Sequence, residues 1–278
     1  VVLSEGLISI GESAFYSAGA LEKIDFPFSL RTIGKNAFYG TALTTVEISQ
    51  MITMGEYAFQ FCTKLTSVSV FCETIPNCAF SNCETLESVT FGKSVKHIGE
   101  HAFDYSVSLK RIELPSRLQT IGEQAFAGSG LTEIVIPNSV QTIEYGTFTN
   151  CRSLTSATIG AREIKHNAFY YCAALTDVTF TANVETIGDS AFSRTGLTEI
   201  TLPGSVKSVG RRAFAGTNLH ALIIPAGCTT VDGSVLDDTG AAYLYLNGAS
   251  TNINGNVSGA AYVFAPSGSD ACYVPNVY

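Results

Sequence analysis

The groups in this chain that could do chemistry are four histidines, eight cysteines and 24 carboxylic acids. The sharpest local pattern is His97-Ile-Gly-Glu100-His101, which matches the H-x-x-E-H arrangement of one group of zinc hydrolases. That chemistry needs a helix with both imidazoles on one face and the carboxylate beside a metal-bound water. Gly99 interrupts such a helix, so two surface histidines are expected instead. Cys62, Cys83, Cys151 and Cys172 come singly, with no C-x-x-C pair among them. A zinc site is therefore not expected, and they read as small, buried, free thiols. Disulfides Cys62–Cys83 and Cys151–Cys172 stay open, subject to close Cα atoms. Cys78 falls at a variable polar position and Cys228 at an apolar one. No phosphate-binding glycine loop, nucleophile elbow or dinucleotide fingerprint occurs. No catalytic residue, cofactor or metal ligand is predicted.

What positions these groups is an internal repeat, the feature to seek before any other. Phe15, Phe38, Phe59, Phe80, Phe103, Phe126, Phe148, Phe169, Phe192 and Phe214 recur at spacings of 21 to 23 residues. A Leu follows each by five or six residues (Leu21, Leu43, Leu65 and onward to Leu219). Apolar residues then alternate with polar ones, as in Val46 and Ile48 or Ile134 and Ile136. This is the period of a strand with one face inward. A second strand is expected over Leu30–Ile33, Val95–Ile98, Leu118–Ile121, Val140–Ile143, Val184–Ile187 and Val206–Val209. A Gly usually follows (Gly34, Gly99, Gly122), suiting positive φ or close approach to a neighbour. An acidic residue then begins a short helical turn that carries the Ala-Phe pair inward. Thr32, Thr53, Thr74, Thr120, Thr142, Thr186 and Thr230 share one column with His97. No single copy buries its own apolar face, so the copies must stack.

Composition narrows the functional classes. The charged fraction is 14% and the net charge −8, which disfavours nucleic acid or an anionic membrane as partner. No run of about 18 apolar residues is present to span a bilayer, and no signal peptide lies in this stretch.

The consensus L-x-x-[IV]-x-[IL]-P-x-S-V-x-x-I-G-x-x-A-F-x-x-C stands nearly intact in Leu131–Ile143 and Val95–Phe103. It resembles the BspA-type leucine-rich repeats of bacterial and protozoal surface proteins over about residues 1–235. The fold expected is a β-rich leucine-rich-repeat solenoid: a right-handed stack of strand–turn–short-helix repeats of about 22 residues, curved or rod-like. The resemblance implies a cell-surface or secreted protein that binds a host or matrix protein or glycan. It carries no family site residues. Near Ile159–Ile164 the chain departs from the pattern, because the corner is short and the Pro-x-Ser-Val element is missing.

Two domains are expected, the solenoid over 1–235 and a degenerate repeat with capping strands over 236–278. Ala241–Leu246 and Ala260–Ala265 read as strands and Pro266–Asp270 as a turn. Aromatic residues from Tyr243 to Tyr278 read as a seal on the last rung, with a ligand-binding aromatic patch as the alternative. Val1–Ile10 aligns with the second half of a repeat, so the chain reads as a fragment. The candidate binding face is the outward side of the first strand: Lys23, Asp25, Glu47, Arg111, Glu113, Glu133, Val135, Asp177, Glu199 and Ile223. The function expected is macromolecule binding by a monomer, with a structural spacer as the alternative and an enzyme last.

Overall fold

A computed structural model describes residues 1–182, 184–240, 242–248 and 250–265. The turn expected at Pro266–Asp270 and the aromatic residues Tyr273 and Tyr278 lie outside the described residues. Two compact units divide the chain, Val1–Val140 and Gln141–Tyr278. Each is a β-solenoid in which every coil contributes parallel strands to its neighbours.

In the first unit, Thr45–Ile48, Ser67–Val70 and Ser88–Phe91 form one parallel sheet in register, with Val46, Val68 and Val89 side by side. Burial alternates along these strands, and Val46, Ile48, Val68 and Val70 point inward. Short strands form the second face: Ser9–Ile10, Thr32–Ile33 and Thr53–Met54 in one sheet, Thr74–Ile75, His97–Ile98 and Thr120–Ile121 in another. Only the last two residues of each expected second strand pair; those before them turn the corner. In the second unit, six short strands from Thr142–Ile143 to Asn252–Asn254 make one sheet. Its longer strands are Ser156–Ile159 beside Asp177–Phe180, and Ala221–Ile224, Ala242–Leu246 and Ala260–Phe264 in a row. The two strands expected after residue 240 are thus present and continue the parallel stack. Leu236, fully buried, stands where earlier coils carry Phe.

The core is a column of phenylalanines. From Phe38 to Phe214 every repeat Phe is completely buried. Neighbouring rings in the first unit, from Phe15 to Phe126, lie 5.1–5.5 Å apart and within 12° of parallel. In the second unit, Phe148, Phe169, Phe192 and Phe214 repeat this at 5.2–5.5 Å. Such pairs contribute roughly 0.5–1.5 kcal/mol each beyond area burial.

The segment carrying the Phe is not helical, and no described residue is in a helix. In coil after coil the residues two before and two after the Phe take positive φ, as at Ser13 and Ser17, Tyr57 and Phe61, or His101 and Tyr105. Two left-handed residues two steps either side of the Phe break any helical run and turn alternate amides along the stack. Asn36 N–H donates to Glu56 C=O, Phe38 N–H to Ala58 C=O and Gly40 N–H to Gln60 C=O (3.0, 2.8 and 2.8 Å). Amides between them close tight turns, as Tyr39 N–H does onto Asn36 C=O at 3.1 Å. The chain gives up a helix for a ladder that joins each coil to the next. The turn glycines act by close approach: a Cβ on Gly122 would lie 2.6 Å from the Glu100 nitrogen of the preceding coil.

One expectation fails at three coils. Residues 23–26, 111–114 and 199–202 have strand-like sequences but join no sheet. They belong to the coils of Phe15, Phe103 and Phe192, which are 88 and 89 residues apart, four coils each time. Each break adjoins a Phe at the last inward strand position, Phe26, Phe91 or Phe180, where other coils carry Ile, Val or Leu. Phe91 sets its ring edge-on to Phe103 of the next coil at 6.0 Å, and Phe26 tilts against Phe38 at 5.6 Å. Ring size alone does not open the ladder, because Phe91 and Phe180 pair in register with Val70 and Ile159 of the preceding coil; the opening lies on the side of the following coil.

Replacing Phe103 by Ala removes a ring stacked on both sides and is expected to cost about 3–5 kcal/mol in urea unfolding; a loss below about 1 kcal/mol would contradict the packed column. Ser190 sits at φ 55°, so Ser190→Gly is expected to exceed Ser190→Ala in stability by about 0.5–1 kcal/mol, the left-handed penalty less the added freedom of unfolded Gly. Equal stability would show that the turn relaxes at no cost.

Candidate binding face

All ten residues singled out in the sequence are exposed on the outward side of the first-strand segment, seven in the first unit and three in the second. Alternation puts them there: in Glu133–Ile136 the buried Ile134 and Ile136 send Glu133 and Val135 outward. Lys23, Arg111, Glu133, Asp177 and Glu199 hold the first outward position of their coils, and Asp25, Glu47, Glu113, Val135 and Ile223 the second. Lys23, Asp25, Arg111, Glu113 and Glu199 lie on the three segments outside the sheets, where Asp25 keeps a single parallel bridge to Val2, so they stand on irregular backbone rather than on strands. Arg111 Nε reaches Glu133 Oε1 at 3.2 Å and Lys23 reaches Asp25 at 3.8 Å, both in open solvent, where such pairs contribute little to stability. Val135 and Ile223 are 62% and 52% exposed.

The sequence reading missed how this face ends. Strand register puts Tyr243 and Tyr262 in the column of Ala221, and Tyr245 and Phe264 in the column of Ile223. The rings stack pairwise, Tyr243 on Tyr262 at 5.5 Å and Tyr245 on Phe264 at 4.8 Å. They are exposed side chains of the sheet face and not a seal over the last rung. The signal was present in the alternation Tyr-Leu-Tyr-Leu, obscured because these coils lack the Phe that sets the frame.

The open ladder after Phe91 makes a cleft of about 880 Å³, lined by residues 87–93 and 111–117. Val89 and Phe91 are only half-buried there, whereas Val68 and Val70 one coil earlier are sealed. Lys93 and Arg117 are exposed at one end of it, and among the described residues neither forms an ion pair.

The chemistry-bearing side chains elsewhere are absorbed by the fold. His97 Nδ1 lies 3.0 Å from Thr120 Oγ1, in the threonine column. His101 is at a left-handed turn position, with Nδ1 3.0 Å from Asp104 Oδ2. Among the described residues no group of His, Cys, Asp and Glu is arranged to hold a metal ion. Burial raises the pKa of Asp104, partly countered by Ser81 and His101. The column three residues after Phe mixes Cys with Ser and Thr. Five of its members hydrogen-bond Phe carbonyls: Cys62 to Phe38, Cys83 to Phe59 and Cys172 to Phe148 at 3.0–3.2 Å, Thr195 to Phe192 and Thr217 to Phe214 at 2.8 Å; the buried Ser106 hydroxyl in the same column has no hydrogen-bond partner among the described residues. The seven described cysteines are free thiols. Burial pushes Cys62 up and Cys83 and Cys172 well up, and Cys72 and Cys78 to about 11. Cys72 and Cys228 share one column, each donating to the carbonyl two residues on, Thr74 or Thr230. Cys78 occupies a left-handed position.

In each unit, parallel coils, a buried aromatic column and a varied outward face define a repeat solenoid built as an interaction module. The profile of the BspA type leucine rich repeat region (6 copies) matches residues 1–106, 70–163 and 162–257. The chain belongs to that family. The chain is also similar to solved structures, the first of which agrees in fold. A leucine-rich repeat protein from Bacteroides ovatus is 23% identical, with 80% of this chain and 82% of that one covered and a TM-score of 0.50. A leucine rich cell surface protein from Faecalibacterium prausnitzii is 22% identical over 97% and 86%, TM-score 0.45. The T. pallidum leucine rich repeat protein is 24% identical over 70% and 75%, TM-score 0.42. No curated protein sequence matches the chain.

Since the thiolate is the reactive form, Cys62, Cys83 and Cys172 are expected to stay unalkylated by iodoacetamide at about pH 8 in the native protein and to react fully once unfolded, as read by peptide mass mapping. Prompt native labelling of any of the three would contradict the sealed column.

Proposed function

We propose that this chain is a cell-surface or secreted adhesion module that binds a protein or glycan through the outward face of its first-strand segments. The observation that carries the reading is the contrast between the two sides of those segments. Inward positions repeat a few apolar types, while outward positions change from coil to coil. Stacking constrains the first and leaves the second free to match a partner. Apolar groups that stacking does not require, Val135 and Ile223 among them, stand in solvent on that face. Such groups mark interaction surfaces when they cluster. Membership of the BspA-type repeat family supports the surface localisation. Among the described residues no helix is long and apolar enough to cross a membrane. Binding is favoured over catalysis because the histidines and cysteines described above serve packing and turns.

A panel of purified matrix proteins and glycans tests the reading. The wild-type chain is expected to capture a specific partner, and Glu133→Arg/Val135→Asp or Glu199→Arg/Ile223→Asp to weaken it at least tenfold, about 1.4 kcal/mol, without loss of fold. Absence of any partner, or binding indifferent to both pairs, would favour the spacer, for which coil number matters and the surface does not.

A further inference from the structure

We propose that the cleft beside Phe91 receives an extended peptide as an added strand, with a carboxylate at the peptide's C-terminal end held by Lys93 and Arg117. This rests on the reading of the outward face as a binding surface and names the class of partner for one part of it.

The backbone carries the argument. Ser88 N–H bonds Thr66 C=O at 3.2 Å and Gly92 N–H bonds Val70 C=O at 2.8 Å, both to the preceding coil. Alternation along a strand then aims the main-chain groups of Val89 and Phe91 at the opposite side. There the next coil offers no strand, because residues 111–114 lie outside every sheet. Ser88–Phe91 is therefore the free edge of a three-stranded parallel sheet, opened inside a stack that is closed by ring contact between Phe80 and Phe103 at 5.4 Å. An unpaired edge is a template for another chain, and strand addition satisfies it with main-chain bonds while alternate side chains find pockets. The half-buried Val89, Phe91 and Leu114 supply an apolar floor for those side chains.

Charge sets the direction. A strand added in parallel runs from Ser88 toward Lys93, so its C-terminal end arrives between Lys93 and Arg117. These are two cations without an ion pair among the described residues, in a chain of net charge −8. The corresponding break in the second unit, after Phe180, has Ala182 and Ser205 at those places. It lacks the charge that would select an acidic end.

Amide NMR of the intact chain with an alternating threonine–valine heptapeptide ending in aspartate tests the proposal. Shifts and slowed exchange are expected at Val89 and Phe91. Binding is expected to weaken about tenfold or more in Lys93→Glu/Arg117→Glu, and likewise for the peptide ending in a lysine amide. A peptide N-methylated at alternate amides is expected not to bind. Absence of change at Val89 and Phe91, or equal binding by the N-methylated peptide or the charge-reversed variant, would overturn it. A panel partner that still depends on Glu133, Val135, Glu199 and Ile223 while the cleft stays silent would sink this proposal and leave the broader reading standing.

Discussion

The constraint on which the structure depends is that the Phe-bearing turn must hydrogen-bond to the next coil and bury its ring at the same place. Left-handed residues two before and two after the Phe allow both, because they point alternate amides along the stack while the ring faces inward. Phe38, Phe59 and Phe80 each donate to the Ala of the following coil at 2.8–2.9 Å, and their rings stack on those of the following coil at 5.1–5.4 Å. The Ala residues before Phe59, Phe80 and Phe103 receive these bonds through their carbonyls, and Val235 receives the same bond from Phe214. The conformational cost of non-glycine residues such as Tyr57 or Arg212 in left-handed backbone is offset by burying whole rings.

A solenoid gains stability coil by coil, through nearest-neighbour contacts. That makes the fold tolerant at its surface and exacting in its columns. The column after Phe shows how exacting: only small side chains, Cys, Ser or Thr, occupy it from Thr41 to Thr217, and the Cys and Thr members named above also satisfy a Phe carbonyl. The same logic explains why a thiol conspicuous in the sequence has no chemistry. It is a packing unit with a raised pKa, and its neighbours in the column are hydroxyls.

Much of this was legible before any coordinates. The 21–23-residue spacing of Phe, the Leu column and the two-residue alternation fix the stack, the inward faces and the ten outward candidates. Three features escaped. The Phe turn looked helical because Glu12 or Glu100 resemble helix starts, while left-handed backbone leaves no residue signature when Tyr57, Cys78, His101 and Arg212 all occupy it. The breaks at 23–26, 111–114 and 199–202 escaped because their own sequences are good strands; Phe26, Phe91 and Phe180 adjoin the openings, but Phe91 and Phe180 also pair in register with Val70 and Ile159, so a Phe at that position does not by itself mark a break. The aromatic rows near Tyr243 were seen as residues but placed as a seal, because register there rests on Leu244 and Leu246 without a Phe to frame it.

For function, the breaks matter as much as the regularity. Unbroken coils present side chains on a closed sheet, whereas each break exposes backbone and part of the core on the same face. The most direct test of the central claim is native-state hydrogen exchange at the Phe turns. The account predicts that the amides of Asn36, Phe38 and Gly40, and their counterparts at Phe59 and Phe169, exchange only through global or near-global opening. Exchange at the rate of an unstructured loop would mean that the turns do not bond from coil to coil, and that the shared interior is not built as described.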